Sequence, residues 1–274
     1  MRRNVIAVIH LPPLPRSSAR VEWSLEAVVE RAVREARVLE ELGYDAVIVE
    51  NFGDKPYQKR VSDPLSLASF TVVAREVARA VSIPVGLSLL RNSGREAYAV
   101  AVATGARFIR VNALADVVFS DSGVLEPEAP RLRDLRVNYP GVEVYADVLV
   151  KHAASSRLAL SLIEAGHAII AKGSVEDYVK ELILDHVERC GASALIVTGL
   201  RTGEAPPLEL VAVIRKLSPT PVLVGSGVTA ENVREYLRVS DGVIVGSYIR
   251  DGGRAGAMLD AERARRLLEE ARAV

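Results

Sequence analysis

Short apolar runs rich in β-branched residues recur along the chain. Each is followed by a polar or glycine-rich break and then by a longer segment with helical spacing. Runs of this kind are typical of strands buried on both faces. Eight strands are predicted, at Val5 to Ile9, Asp45 to Val49, Pro84 to Ser88, Phe108 to Val111, Glu143 to Val148, Ala194 to Val197, Pro221 to Val224 and Gly242 to Val245.

The segments between the strands predict helices. One runs from Ser24, as its cap, to Leu42, with Gly43 at its end, and another runs from Pro64 to Val81 after the cap Asp63. Alternating strands and helices favour parallel pairing, because a parallel connection needs a crossover. Eight such units predict a (β/α)₈ TIM barrel of the α/β class. The alternative is an open doubly wound sheet, but that fold usually carries a glycine-rich fingerprint after its first strand, where this chain has HLPPLP.

The domain prediction is a single barrel over residues 1–274, because no linker or low-complexity segment divides the chain. One stretch does not fit the regular alternation. Residues 150–173 form a longer excursion after the fifth strand, and a short helix is predicted within it over Ser156 to Ala165.

Composition narrows the class of protein. Apolar residues make up 49 % and charged residues 26 %, as in soluble globular chains, and no apolar run approaches the roughly 18 residues of a spanning helix. The first residues lack a cleavage site, so a cytoplasmic location is predicted. A net charge of zero removes the global electrostatic argument for a nucleic-acid partner, and an oligomer is left open. The one cysteine, Cys190, can form no internal disulfide.

Thermolabile side chains are scarce, with one glutamine, one cysteine and two methionines, which suggests a thermophilic source. Arginine also far outnumbers lysine, although genomic base composition explains that bias equally well.

Polar side chains follow six consecutive strands at their C-terminal ends, which is where barrels of this class carry chemistry. A structural salt bridge explains any one of these residues as well as function does, but a joint structural explanation for six strand ends is much less favoured. The catalytic candidates are Glu50, Asp147, Lys151 and His152, and the substrate-binding candidates are His10, Asn51, Asp54, Arg91, Asn92, Arg110, Asn112 and Thr198.

The candidates have distinct chemical roles. Glu50 and Asp147 are the candidate general acid and base, and the roles open to Lys151 are an electrophile, a Schiff-base former or an ion-pair partner. No cofactor is strongly implied. A divalent metal held by Glu50, Asp54 and Asp147 is a weak alternative, because no local spacing motif supports it.

Glycine-rich loops follow the last strands. VLVGSGVTAENV leaves the seventh strand and VIVGSYI leaves the eighth, and glycines let main-chain N–H groups approach an anion next to a helix N-terminus. In a closed barrel the two loops are neighbours, at the usual phosphate site. The predicted phosphate-binding residues are Gly199, Gly225, Ser226, Gly227, Gly246 and Ser247.

The motifs HLPPLP, VIVENFGDKPY, IPVGLSLLRNSG, FIRVNAL, DVLVKHA, IVTGLRTG, VLVGSGVTAENV and DGVIVGSYI resemble, in order and spacing, those of the BtpA/SgcQ family over nearly the whole chain. The resemblance implies a barrel of the ribulose-phosphate-binding kind. The family takes its name from a protein implicated in cyanobacterial photosystem I biogenesis, and relatives occur without photosynthesis, so it implies no particular reaction. The link after the fifth strand is longer here than is usual in the family.

Two functions are therefore expected. The first is an enzyme acting on a small phosphorylated metabolite, a sugar phosphate or nucleotide-like compound, by isomerisation, epimerisation or carbon–carbon cleavage. The second is a non-catalytic assembly or regulatory protein that binds a phosphorylated ligand or a partner protein.

Overall fold

The computed structural model describes residues 4–14, 24–148, 154–155, 175–199 and 204–274. The eight predicted strands form one closed parallel barrel, in which neighbours along the chain are neighbours in space and the last strand closes on the first. This confirms the predicted fold class. Strands β1 to β8 are Asn4–His10, Ala46–Glu50, Val85–Ser88, Phe108–Val111, Glu143–Val148, Ala194–Val197, Val222–Val224 and Gly242–Val245.

Helices surround the barrel. Helices α1 to α8 are Leu25–Leu42, Pro64–Ala80, Gly94–Thr104, Ala129–Asn138, Val175–Leu184, Leu208–Leu217, Val233–Val239 and Ala261–Arg272. The predicted caps are present: Ser24 Oγ accepts from the Ala27 N–H, Asp63 accepts from the Ser66 N–H, and Gly43 ends α1 with φ of 97°. The described residues include no helix that is both long and apolar enough to cross a membrane.

Side-chain alternation along the strands produces two cores. Residues on the inner side of the strands form a small cluster inside the barrel, composed of Ile6, Val8, Ala46, Ile48, Phe108, Ile196, Leu223 and Ile244. The intervening strand residues, such as Val47 and Val49 of β2, pack against the helices in the larger core. Because successive side chains of a strand point to opposite faces, counting in twos from the interior residues identifies the residue at the C-terminal end of each strand that points into the barrel.

One addition interrupts the alternation. An antiparallel hairpin of Val118–Ser120 and Gly123–Leu125 follows β4 and pairs with Ala154–Ser155, which follows β5. The sequence pattern did not predict it. The rest of the excursion over residues 150–173, including the helix predicted at Ser156 to Ala165, lies outside the described residues.

Candidate functional site

A cavity of about 360 Å³ opens at the C-terminal ends of the strands. Most of the predicted site residues come together there. The predicted residues that line the cavity are His10, Glu50, Arg91, Arg110, Asn112, Asp147, Gly225, Ser226, Gly227, Gly246 and Ser247.

Arg110 and Asp147 form a buried ion pair across the floor of the cavity. The guanidinium donates from Nε to Asp147 Oδ1 at 2.9 Å and from Nη2 to Oδ2 at 3.1 Å, and Asn112 Nδ2 donates to Oδ2 at 2.7 Å. Burial alone lowers the pKa of Arg110, but the Asp147 carboxylate and, more weakly, Glu50 outweigh it and raise that pKa above its usual range. Arg110 is therefore a fixed positive charge, and both oxygens of Asp147 are occupied.

Glu50 is the last residue of β2 and is buried beside this pair. Its carboxylate lies 3.8 Å from Arg110 Nη1 and 3.9 Å from His10 Nε2, which exceeds hydrogen-bonding distance in both cases. Within the described residues, Glu50 thus keeps unused acceptor capacity on the cavity wall. A carboxylate in this state is able to take a proton from a ligand.

His10 ends β1 and is paired in register with Glu50. Its Nδ1 accepts a hydrogen bond from the main-chain N–H of Gly256 at 3.2 Å, and its ring lies 4.4 Å from that of Phe52. The hydrogen bond therefore links the end of β1 to the loop that follows β8.

Loops after β7 and β8 line the same cavity, with Gly225 next to Arg110 and Gly246 next to His10. Gly227 has φ of 69°, and a Cβ there would lie 2.1 Å from the Ala205 nitrogen, so only glycine fits this turn. The Ser226 hydroxyl is buried and has no hydrogen-bond partner among the described residues. A buried, unpartnered hydroxyl is costly unless a ligand satisfies it. The neighbouring helix contributes less than the sequence predicted, because α7 begins only at Val233.

Arg91, in the loop after β3, also lines the cavity. It adopts φ of 71°, which is uncommon for a residue with a side chain, and its main-chain N–H donates to Asn112 Oδ1 at 2.9 Å. The guanidinium donates to Asp121 Oδ1 at 2.7 Å and stacks over the ring of Tyr57 at 4.6 Å. Burial, followed by the charge of Glu50, raises the pKa of Tyr57, which keeps its phenol protonated.

Three predicted ligand-binding residues are used by the protein itself and do not line the cavity. Asn51 accepts from the Leu90 N–H and donates to Asp54, and Asp54 also accepts from the Leu14 N–H. Burial raises the pKa of Asp54. Asn92 is fully buried and bonds to Glu126 and Glu128. These side chains hold the loops around the cavity in place.

The remaining predicted residues fall into two groups. Thr198 and Gly199 follow β6 but do not line the cavity, and Lys151 and His152 lie outside the described residues. In the described part of the chain no three His, Cys, Asp or Glu side chains are grouped to hold a metal ion. The metal site considered above would need Asp54 beside Glu50 and Asp147, but the Asp54 carboxylate accepts hydrogen bonds within its own loop and does not line the cavity.

Sequence reasoning missed several lining residues. These are Val8, Phe52, Lys55, Pro56, Tyr57, Leu90, Asp121, Val228, Ile244 and Ala255. Val8 and Ile244 share the inner side of their strands with His10 and Gly246, so strand alternation alone could have found them. Lys55 lies over the Phe52 ring at 3.7 Å, and burial lowers its pKa against the opposing effect of Glu50. The others stand on irregular loops that carry no periodic signal.

Comparison with known proteins agrees with this architecture. The family model described as "BtpA family" matches residues 1–273. The chain belongs to the BtpA family. Among BtpA relatives, the Photosystem I biogenesis protein BtpA of Synechocystis is 36 % identical over 97 % of this chain and 86 % of its own length.

Other BtpA-family relatives come from thermophilic archaea, in keeping with the composition. An uncharacterized protein of Pyrococcus abyssi is 41 % identical over 97 % of this chain and 94 % of its own length. One of Archaeoglobus fulgidus is also 41 % identical, over 99 % of this chain and all of its own.

Solved structures share the barrel of this BtpA-family chain. N-(5'-phosphoribosyl)anthranilate isomerase of Pyrococcus furiosus has a TM-score of 0.57 at 18 % identity, covering 99 % of this chain and 100 % of its own. The (S)-3-O-geranylgeranylglyceryl phosphate synthase of Thermoplasma acidophilum, in complex with sn-glycerol-1-phosphate, has a TM-score of 0.58 at 14 % identity, covering 99 % and 94 %. At such identities the likeness concerns the fold alone.

Proposed function

We propose that this protein is an enzyme that acts on a small phosphorylated metabolite, a sugar phosphate or nucleotide-like compound, by acid–base chemistry in the described cavity. One observation carries the proposal. Glycine loops, with the buried Ser226 hydroxyl that has no partner in the described part of the chain, line one cavity together with Glu50 and the Arg110–Asp147 pair. A phosphate against the loops would place the rest of a ligand over the ionisable groups.

The phosphate is assigned to the loops of Gly225 to Gly227 and Gly246 to Ser247. Glycines allow close approach of main-chain N–H groups to phosphate oxygens, and the Ser226 hydroxyl adds a donor. The barrels of similar fold support this assignment by analogy, since their names contain phosphoribosyl and glyceryl phosphate compounds. Phosphate binding at this end of a barrel is frequent.

We infer different roles for the two carboxylates from their contacts. Asp147 already accepts three hydrogen bonds, so its role is to hold Arg110 and Asn112. Glu50 accepts none within the described residues and is the proposed general base. Arg110 would stabilise negative charge that develops on the substrate. Lys151 and His152 stay candidates for the proton donor.

A thermal-shift screen tests phosphate binding. At about 100 times its dissociation constant, a bound ligand adds roughly 2.7 kcal/mol to the free energy of unfolding. The screen compares wild type with Ser226→Asp, whose carboxylate would repel phosphate, and with Ser62→Asp at an exposed position before α2 as the matched control. The proposal fails if no phosphorylated compound stabilises wild type, or if one stabilises Ser226→Asp equally.

A second candidate function is a non-catalytic assembly or regulatory protein. The name of the Synechocystis relative favours it, and so does an exposed apolar pair, Phe119 and Val124, opposed across the hairpin. A Glu50→Gln variant that retains full function in cells would support this alternative, because a scaffold needs no proton acceptor in its cavity.

A further inference from the structure

The main-chain contact of His10 fixes its protonation. Gly256 donates its N–H to Nδ1 at 3.2 Å, and a ring nitrogen accepts a hydrogen bond only when it carries no proton. The ring is therefore a neutral imidazole with its proton on Nε2. Gly246 allows this position, because a Cβ there would lie 3.0 Å from Cε1 and 3.1 Å from Nε2 of His10.

The Gly256 N–H is itself held in place from α1. Arg31 Nη2 donates to the carbonyl oxygens of Gly256 at 3.1 Å and Ala257 at 2.9 Å, and its Nε donates to Glu35 at 3.0 Å. The other oxygen of Glu35 accepts from the fully buried Arg250 at 2.5 Å. Arg250 also donates to the carbonyl of Val8, two residues before His10. This Arg31–Glu35–Arg250 cluster ties both partners of the hydrogen bond to one framework.

The protonated nitrogen faces the proposed base. His10 Nε2 lies 3.9 Å from Glu50 Oε1, and both residues line the cavity. Arg110 approaches the opposite oxygen of Glu50, at 3.8 Å, so Oε1 is turned to the histidine. A hydrogen-bond donor and a proton acceptor thus lie next to each other on the lining of the same cavity.

We propose that the reaction is proton transfer at the carbon next to a carbonyl of the phosphorylated substrate, with His10 as a neutral hydrogen-bond donor and Glu50 as the base. Glu50 removes the proton from that carbon, and the C–H electron pair forms a C=C bond while the carbonyl pair moves onto oxygen. His10 Nε2–H stabilises this enolate oxygen. Where the deprotonated carbon carries a hydroxyl, that hydroxyl passes its proton to the enolate oxygen as it becomes the new carbonyl, and Glu50 returns its proton to the former carbonyl carbon, which gives an isomer. Return of the proton to the original carbon on its other face gives an epimer. Atoms and electrons balance without an oxidant or a metal.

A neutral imidazole suits this role because it donates a hydrogen bond to an enolate without fully transferring its proton. The same pairing of a glutamate base with a neutral histidine operates in triosephosphate isomerase. The inference rests on the proposed function, since it needs a substrate phosphate in the same cavity.

Nitrogen-15 NMR of histidine-labelled protein tests the protonation without any ligand. The chain has four histidines, and the His10→Gln variant identifies the signal of His10. At pH 7 that signal should be the neutral form with its proton on Nε2. Arg31→Gln should shift it toward exchange between forms, while Arg37→Gln, exposed on the same helix, should not. An imidazolium or an Nδ1-protonated ring in wild type would overturn the proposal.

Deuterium exchange tests the chemistry. Dihydroxyacetone phosphate and ribose 5-phosphate carry a carbonyl, and glycerol 3-phosphate is the matched compound without one. In D₂O the enzyme should exchange C–H protons of a carbonyl compound that stabilises it, about 10²- to 10⁴-fold more slowly in Glu50→Gln and about 10²- to 10³-fold more slowly in His10→Gln. Thermal stabilisation by carbonyl phosphates without exchange overturns this inference but leaves phosphate binding intact. Absence of stabilisation by any phosphate overturns the proposed function itself.

Discussion

Two carboxylates at the N-terminal end of the barrel complete hydrogen bonds of the fold, whereas two polar groups at the C-terminal end do not. At the N-terminal end, Asp45 accepts from the Val5 N–H at 2.8 Å and from Arg272, and Asp241 accepts from the Val222 N–H at 2.9 Å and pairs with Arg215. At the C-terminal end, Glu50 has no contact shorter than 3.8 Å to an ionic partner in the described residues, and Ser226 Oγ has no partner there.

The difference shows how a polar residue on a barrel distinguishes support from binding. Side chains that complete the hydrogen bonds of neighbouring strands stabilise the fold and leave nothing for a ligand. Buried side chains whose hydrogen-bonding groups have no partner cost free energy until a ligand supplies one. Substitution of a side chain whose hydrogen bonds are complete should therefore lower stability, whereas substitution of Glu50 or Ser226 should lower activity or ligand affinity with little effect on stability.

Asp147→Asn should be the most damaging substitution. It leaves the buried guanidinium of Arg110 without its bidentate partner and sets an amide N–H₂ against donors from Arg110 and Asn112. A loss of about 3–5 kcal/mol in the free energy of unfolding is expected, because a buried charge loses its pair. Urea denaturation measures it. A loss below about 1 kcal/mol would mean that Asp147 belongs with the ligand-binding groups rather than the supporting ones.

Asp241→Ala should test the opposite end. The Val222 N–H would lose its acceptor at the start of β7, which costs about 1–3 kcal/mol for a buried donor. Affinity for phosphorylated ligands, measured by calorimetry, should stay unchanged. A change in affinity larger than a few-fold would break the separation between the two ends.

Glu50→Gln should leave the free energy of unfolding within about 1 kcal/mol of wild type, or raise it. The carboxylate is buried with only long ionic contacts, so its removal relieves a desolvation cost. Turnover should fall about 10²- to 10⁴-fold, as expected for loss of a general base. Parallel denaturation and activity measurements check this. Strong destabilisation would show that Glu50 supports the fold.

Ser226→Ala should have the smallest effect on stability, within about 0.5 kcal/mol, because the hydroxyl has no partner to lose among the described residues. Inorganic phosphate and phosphorylated compounds should bind a few-fold to about tenfold more weakly, the equivalent of one hydrogen bond. Ser218→Ala serves as the contrast, since the Ser218 hydroxyl donates to the Thr220 carbonyl at 2.8 Å. Unchanged phosphate affinity in Ser226→Ala would remove the hydroxyl from the phosphate site.

The sequence predicted the barrel well because strand composition reports burial directly. Four predicted strands have the same bounds in the structure, namely Phe108 to Val111, Glu143 to Val148, Ala194 to Val197 and Gly242 to Val245, and the other four differ by one residue at one end or both. The hairpin after β4 was missed, since Val118–Ser120 and Gly123–Leu125 are too short to show alternation.

The site was harder to predict because position after a strand does not give side-chain direction. Glu50 shares the inner side of β2 with Ala46 and Ile48, whereas Asn51 has the opposite parity and bonds within its loop. Counting by two from the interior residues would have separated them. Tyr57 and Asp121 reach the cavity through irregular loops, where only the folded chain decides which groups meet.

The Arg31–Glu35–Arg250 cluster has a consequence for engineering this barrel. The orientation of an imidazole on the first strand depends on a helix that follows it and on a loop near the end of the chain. The first and last βα units are thus a single module of the site, although more than two hundred residues separate them. Chimeras that exchange quarter barrels between relatives should keep the two units from the same parent.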